Sequence, residues 1–144
     1  MEDIIGILGA MPEEVDQLCA LLDGVTIEPY AGVEYHQGYL GERRVVVCCA
    51  GMGKANAAAT TQVLITKFGV DRIVFSGIAG NMSAHIGIGD VVVGRRVIYH
   101  DAQDDMLVQS APFTAQYEGD PELVEAALSA CRAVGVRAIA GTIA

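Results

Sequence analysis

The first candidate for chemistry is a pair of adjacent glutamates, Glu13 and Glu14, which follows a short apolar run and a glycine turn. In open α/β sheets, ligands bind where the carboxyl end of a strand meets the start of a helix, and residues 9–14 (GAMPEE) are predicted to lie there. On a helical wheel Glu14 shares a stripe with Leu18 and Leu21, whereas Glu13 should face solvent. A half-buried carboxylate at this place could orient or deprotonate a water molecule. A first-turn acid that complements the helix dipole explains the same spacing.

Two further glycine turns follow predicted strands, at residues 49–57 (CAGMGKANA) and 76–81 (SGIAGN). The first turn is not a Walker A motif, because Lys54 is followed by Ala55, and it is not a dinucleotide fingerprint, because Asn56 stands at the third glycine position. Small residues let a flat ligand approach the backbone closely, although tight packing of a helix on a sheet also requires them. Since three strands are each predicted to end in such a turn, we expect the turns to converge on one pocket.

An acidic segment invites a metal interpretation, which its spacing does not support. The residues concerned are His100, Asp101, Asp104 and Asp105. They match no standard zinc or calcium loop, so a solvated acidic loop is the better interpretation. His36 and His85 are isolated, and no G-x-S-x-G motif is present for a nucleophilic serine. We therefore expect no metal and no cofactor.

An alternation of strands and helices must position these turns. The apolar and β-branched runs predict strands over residues 4–9, 25–30, 33–40, 44–49, 72–76, 88–99 and 137–143. Helices are predicted over residues 12–22, 54–68 and 121–134, the last with Asp120 as its N-cap. Residues 100–119 show no period and are predicted to be an exposed loop. This order favours a single α/β domain over residues 1–144.

Composition excludes several classes of function. The 144 residues carry 9 Lys and Arg against 18 Asp and Glu, a net charge of −9. Nucleic-acid binding and a polybasic membrane anchor both need basic surfaces, so neither is expected. No apolar run approaches the ~20 residues of a membrane helix, and the N-terminus does not resemble a secretory signal. The four cysteines have no CxxC spacing, which favours free thiols and a cytoplasmic location.

The candidate segments together resemble one enzyme family, the 5′-methylthioadenosine/S-adenosylhomocysteine nucleosidases of the nucleoside phosphorylase superfamily. The matching strings are residues 4–15 (IIGILGAMPEEV), 50–58 (AGMGKANAA), 76–80 (SGIAG), 89–93 (GDVVV) and 99–101 (YHD). They occur in the family's order along the whole chain. The resemblance implies a three-layer αβα fold with a central mixed sheet. It also implies hydrolysis of the N-glycosidic bond of S-adenosylhomocysteine and 5′-methylthioadenosine, with release of adenine in methionine salvage.

The resemblance also assigns roles to residues. The glutamate matching Glu14 activates the attacking water, and Met11 matches a residue that packs beside the ribose. Ile78, Ala79 and Gly80 match the loop beside the adenine nucleoside, and Ile78 stands where the family commonly has a small hydroxyl residue. A homodimer is implied, in which the segment matching residues 100–119 reaches the partner; Met106, Pro112 and Phe113 are its candidate apolar contacts.

The family continues beyond the strand that reaches Ala144, so the resemblance implies a C-terminally incomplete fold. The remaining part carries the purine contacts and the acid that protonates the leaving adenine. We therefore expect the 144 residues alone to have little or no activity.

Three alternatives remain open from the sequence: a futalosine-type nucleosidase, a purine nucleoside phosphorylase, and an inactive chain that binds adenine nucleosides.

Overall fold

The computed structural model describes residues 3–144, which fall into two units. The first unit ends at Gly80 and the second runs from Asn81 to Ala144. The assignment of residues 1–144 to a single domain stays a prediction. None of the helices that residues 3–144 form is long and apolar enough to cross a membrane.

The first unit contains a mixed five-stranded sheet and two helices. Its elements in chain order are β1 (Ile5–Gly9), α1 (Pro12–Ala20), β2 (Asp23–Tyr30), β3 (Val33–Leu40), β4 (Arg43–Cys49), α2 (Lys54–Phe68) and β5 (Arg72–Phe75). The strand order is β2-β3-β4-β1-β5. β1 runs parallel to β4 and β5, while β3 is antiparallel to β2 and β4. The predicted mixed sheet is thus confirmed.

One helix packs on each face of this sheet, and β4 shows why. Val45 and Val47 pack with Val15 of α1, whereas Val46 and Cys48 belong to a second cluster with residues of α2. Because successive side chains of a strand point to opposite faces, a continuous apolar run supplies both clusters. The unit therefore has the three-layer αβα arrangement that the sequence predicts.

One residue explains where α2 ends. Gly69 follows the helix at a φ of 67°, and its N–H bonds to the Leu64 carbonyl. A left-handed residue at this position favours glycine because it has no Cβ. The predicted helix over residues 54–68 is confirmed.

One expectation for this unit is wrong. Residues 72–76 are predicted to form a buried strand, but within residues 3–144 β5 is an edge strand that pairs only with β1. Val74 and Phe75 are consequently exposed. The apolar run indicates a strand, but it cannot tell whether a neighbour covers it.

The second unit is a three-stranded sheet with a helix. Its elements are β6 (Val91–Ile98), α3 (Asp104–Leu107), β7 (Gln116–Glu118), α4 (Pro121–Ala133) and β8 (Ala138–Ile143). β6 is central, parallel to β8 and antiparallel to β7. The predicted cap of α4 is confirmed, since Asp120 Oδ1 accepts hydrogen bonds from the N–H groups of Glu122 (2.8 Å) and Leu123 (3.1 Å).

Residues 100–119 are predicted to be an exposed loop, and most of them are exposed, but the segment is not a loop throughout. This segment contains the single helical turn α3 and the three-residue strand β7. Both are too short to show a period in the sequence. Pairing with β6 fixes β7, and Arg96 Nε lies 3.2 Å from Glu118 Oε1 across the two strands.

Candidate active site

The turns that follow β1, β4 and β5 lie at one edge of the first unit's sheet. The three strands are parallel, so their carboxyl ends meet there. The Ala50 N–H donates to the Gly9 carbonyl (2.8 Å), and the Ser76 N–H donates to the Leu8 carbonyl (3.0 Å). The structure therefore brings together the predicted segments 9–14, 50–53 and 76–80 at the edge where α/β proteins bind ligands.

Glu14 is held at this edge by three main-chain donors. Its Oε2 accepts hydrogen bonds from the N–H groups of Ala10 (2.6 Å) and Met11 (3.0 Å). Its Oε1 accepts a hydrogen bond from the Ile78 N–H (3.0 Å). The carboxylate thus joins the start of α1 to the turn after β5. Hydrogen bonds to an ionised carboxylate are stronger than those between neutral groups, so this contact orients both segments.

These bonds also set the charge of Glu14. The Ile78 N–H bond, followed by those from Met11 and Ala10, holds the pKa of the Glu14 carboxyl below its ordinary value. Partial burial acts in the opposite direction and is outweighed. Glu14 is therefore an anion at neutral pH.

The two carboxylate oxygens are not equivalent. Each has two lone-pair directions, and Oε2 uses both on protein N–H groups. Oε1 receives only the Ile78 N–H among the described residues, which leaves one acceptor direction for a water or a ligand hydroxyl. This asymmetry lets the site orient a donor at one oxygen.

The helical wheel correctly predicts which glutamate turns inward, although one of its reasons is wrong. Glu14 is half-buried and Glu13 is exposed, as expected. Val15 and Leu18 pack on the sheet, but Leu21 lies beyond the helix end and is 68% exposed. The inward position of Glu14 thus depends on its main-chain donors more than on an apolar stripe.

The other predicted site residues lie at the same edge. Met11 is half-buried, while Ile78, Ala79 and Gly80 are exposed. Met11 and Ile78 contribute their N–H groups to Glu14. Contacts of Met11, Ile78, Ala79 and Gly80 with a substrate stay predictions.

Sequence reasoning included Gly9 and Ala10 in the candidate turn but gave neither a role beside Glu14. Ala10 donates to Oε2 through its main chain, which no side-chain pattern reveals. A Cβ at Gly9 would lie 2.9 Å from both Glu14 Cβ and Val15 Cγ1, so only glycine fits at the end of β1. A glycine that ends a strand five residues before an acid is the signal that could have pointed to this packing.

The residue that breaks the dinucleotide fingerprint has a structural role. Asn56 Nδ2 donates to the Met52 carbonyl (2.8 Å) and closes the glycine turn after β4. Met52 itself is exposed at the edge. The Asn56 side chain therefore supports the shape of the glycine turn after β4.

Convergence on an enclosed pocket stays a prediction. One surface depression, of about 270 Å³, is lined by Gly24, Thr26 and Arg44 among others. Another, of about 420 Å³, is lined by Arg95, Pro121 and others. Neither contains a predicted site residue.

The acidic segment does not form a metal centre in the structure. Over residues 3–144, no three His, Cys, Asp or Glu side chains are grouped so that they could hold a metal ion. Asp104 and Asp105 lie in the first turn of α3, where negative charge complements the helix dipole.

The mixed sheet covered by helices defines an α/β protein, and its fixed carboxylate lies at the strand-end edge where such proteins bind ligands. A family model described as the phosphorylase superfamily matches residues 4–144. The chain belongs to this superfamily.

Its similar proteins carry more specific names. The chain is 37% identical over 131 residues to a 5′-methylthioadenosine/S-adenosylhomocysteine nucleosidase of Staphylococcus saprophyticus, covering 88% of this chain and 58% of that protein. It is 36% identical over 144 residues to the protein of the same name from Shewanella piezotolerans, covering 96% of this chain and 63% of that protein. The chain thus spans about three fifths of the length of these relatives.

Solved structures agree with this assignment of the fold. The Colwellia psychrerythraea nucleosidase in complex with adenine superposes with a TM-score of 0.90 at 33% identity, covering 99% of this chain and 61% of that one. The Neisseria meningitidis nucleosidase in complex with methylthio-immucillin-A also superposes with a TM-score of 0.90, at 28% identity, covering 97% of this chain and 63% of that one.

Proposed function

We propose that this protein hydrolyses the N-glycosidic bond of 5′-methylthioadenosine and S-adenosylhomocysteine and releases adenine. The observation that carries the proposal is the Glu14 carboxylate, fixed by three main-chain N–H groups with one acceptor direction of Oε1 left open. The relatives named above support the choice of reaction, since both carry the name of this nucleosidase. The adenine complex of the Colwellia protein supports the choice of leaving group.

In the proposed reaction, a water oxygen bonds to the ribose carbon that carries adenine, and the carbon–nitrogen bond breaks with its electron pair going to adenine. The departing adenine takes up one proton from solvent or from a general acid and leaves as the neutral base. Positive charge develops on the sugar as the bond breaks, so a weakly basic carboxylate suffices to direct the water. Glu14 Oε1 accepts a hydrogen bond from this water and takes its proton as the new carbon–oxygen bond forms. The lowered pKa of Glu14 keeps the carboxylate ionised before each turnover.

A matched pair of variants tests this role. Glu14→Gln keeps the size of the side chain but removes the charge, and Glu13→Gln makes the same change at the exposed neighbouring position. General acid–base groups contribute about 10²–10⁴-fold, so Glu14→Gln should lower the rate of adenine release by that factor while Glu13→Gln leaves it unchanged. The assay is run on the product of the complete reading frame and on the 144-residue chain, with adenine measured by chromatography. Equal rates for the two variants, in a form of the protein that releases adenine before substitution, would reject Glu14 as the water-activating group.

The same assay separates the other activities. With phosphate present, a phosphorylase would form ribose-1-phosphate, whereas a nucleosidase forms free ribose product at the same rate with or without it. A futalosine-type nucleosidase would release base from futalosine and leave 5′-methylthioadenosine intact. Binding of adenine nucleosides without any turnover would support the inactive alternative.

We further propose that Met11, Ile78, Ala79 and Gly80 contact the nucleoside. A Cβ at Gly80 would meet no atom within 4 Å, so a side chain added there begins in open space. Gly80→Val should therefore weaken binding of 5′-methylthioadenosine, measured by calorimetry, at an unchanged melting temperature. Unchanged binding would remove Gly80 from the proposed set.

We also propose a cytoplasmic homodimer that acts in methionine salvage. All four cysteines are free, which suits a reducing compartment. Met106 and Phe113 are 66% and 67% exposed, so both side chains are accessible to a partner. Replacing both with serine should shift the mass measured by light scattering from dimer to monomer, whereas Met82→Ser, at another exposed methionine, should not.

A further inference from the structure

We propose that Gly77 is a positioning residue for Glu14, and that its missing side chain is what allows the turn after β5 to hold the carboxylate. A Cβ at Gly77 would lie 2.8 Å from Glu14 Oε1 and 3.2 Å from Glu14 Cδ. Real Cβ atoms essentially never approach another heavy atom closer than 3.0 Å. The catalytic significance of this inference rests on the proposed function, but its structural part does not.

The reason for glycine at this position is space, not backbone conformation. Gly77 is absent from the described glycines with positive φ, so an L-amino acid can adopt its backbone angle. The obstacle is the Cβ of such a residue, which would occupy the space where the Glu14 carboxylate lies. Relief would come from moving Oε1 away from the turn, because the carboxylate is the end of a flexible side chain.

Such a movement would act on a single hydrogen bond. The Ile78 N–H donates to the same Oε1 at 3.0 Å, from the residue next to Gly77. Displacing Oε1 would break this bond, while the bonds from Ala10 and Met11 to Oε2 are formed within the start of α1 and can survive. The oxygen that loses its protein partner is also the one that has a free acceptor direction for water.

A neighbouring contact provides the competing explanation. The same Cβ would lie 3.0 Å from Phe75 Cε1, so Gly77 could be required only for packing against that ring. The experiment must therefore report on Glu14 itself. Gly87→Ala is the matched control, because a Cβ there would meet only Asp90 Oδ2, at an ordinary 3.7 Å, and the φ of Gly87 is not among the described positive values.

The test is a carboxyl ¹³C NMR titration of the chain labelled at glutamate, with the Glu14 signal assigned by its loss in Glu14→Gln. Because the Ile78 N–H is the largest cause of the lowered pKa, Gly77→Ala should raise the pKa of Glu14 toward its ordinary value, and Gly87→Ala should not. An unchanged Glu14 titration in Gly77→Ala would overturn the inference. No turnover is needed, so this outcome is distinct from a failure of the wild-type protein to release adenine.

A second pair of variants decides the case in which Gly77→Ala folds but is too unstable for the titration. In Glu14→Ala the carboxylate is gone, and the added methyl group of Gly77→Ala meets only the Phe75 ring among the three contacts. Gly77→Ala should therefore lower the melting temperature less when it is added to Glu14→Ala than when it is added to the wild-type protein. An equal fall in both backgrounds would assign the requirement to Phe75 and overturn the positioning role.

Discussion

Replacing Leu64 with alanine should substantially lower the free energy of unfolding, because Leu64 packs α2 against the sheet. Leu64 is 0% exposed and packs in a cluster with Leu8, Val46 and Cys48. The change deletes three carbon groups, each contributing about 0.8 kcal/mol when buried. A cavity term adds to this loss, because the surroundings of a core residue relax only partially.

The surroundings of Leu64 have little freedom to collapse. A Cβ built on Gly6 would lie 3.2 Å from Leu64 Cδ1, so the leucine sits close against the backbone of β1. β1 is itself fixed between β4 and β5 by parallel ladders on both sides. We therefore expect the free energy of unfolding to fall by about 3–4 kcal/mol, within the range measured for buried leucines. The melting temperature should fall by about 6–16 °C.

The adjacent residue provides a control on the same helix. Ile65 is 47% exposed, so Ile65→Ala deletes a similar volume with much of it already in water. Ile65→Ala should therefore lower the free energy of unfolding, measured by urea titration, by about 1 kcal/mol or less. If Leu64→Ala were no more destabilising than Ile65→Ala in the same urea titration, the assignment of α2 to this core cluster would be refuted.

Three further predictions concern the second unit and the thiols. Asp120→Ala should lower the free energy of unfolding by about 1 kcal/mol, because two N–H groups of α4 lose their acceptor. Asp120→Asn keeps an acceptor oxygen, so it should retain most of the stability in the same urea titration. The Gly87 N–H bond and the Arg137 guanidinium hold the pKa of Asp90 below its ordinary value. The ionised Asp90 therefore stabilises the folded state above the unfolded-state pKa of about 3.9, and this stabilisation is lost as the pH falls through the lower folded-state pKa. Asp90→Asn should consequently reduce the slope of the free energy of unfolding against pH on the acid side. An unchanged slope would contradict the role of Asp90. Burial raises the pKa of the Cys48 thiol to about 12, so iodoacetamide at pH 8 should label Cys48 last, as peptide mapping would detect; early labelling would show that β4 is accessible.

Much of the first unit could be predicted from the sequence because its signals are local. The helix over residues 54–68 ends at a glycine with left-handed geometry, and the apolar run of β4 is long enough to indicate a strand covered on both faces. The edge position of β5 could not be predicted, because the apolar pattern of Val74 and Phe75 describes a strand and not its neighbours. Likewise, α3 and β7 depend on contacts within the second unit rather than on any period.

The candidate site was predictable only in part. The spacing around Glu14 indicates an inward acid, and a dipole-complementing acid gives the same spacing. What distinguishes the two is the N–H of Ile78, which lies 64 positions further along the chain. A bond between segments so far apart cannot be derived from local spacing, and the importance of Gly77 follows only once that bond is known.

The main-chain origin of the donors to Glu14 has a consequence for how the site tolerates substitution. Nineteen of the twenty amino acids offer the same amide at positions 10, 11 and 78; only proline, which lacks the N–H, removes the donor. The side chain of residue 78 is thereby released from holding the carboxylate. A change of side chain at position 78 therefore leaves the anchor of the Glu14 carboxylate in place.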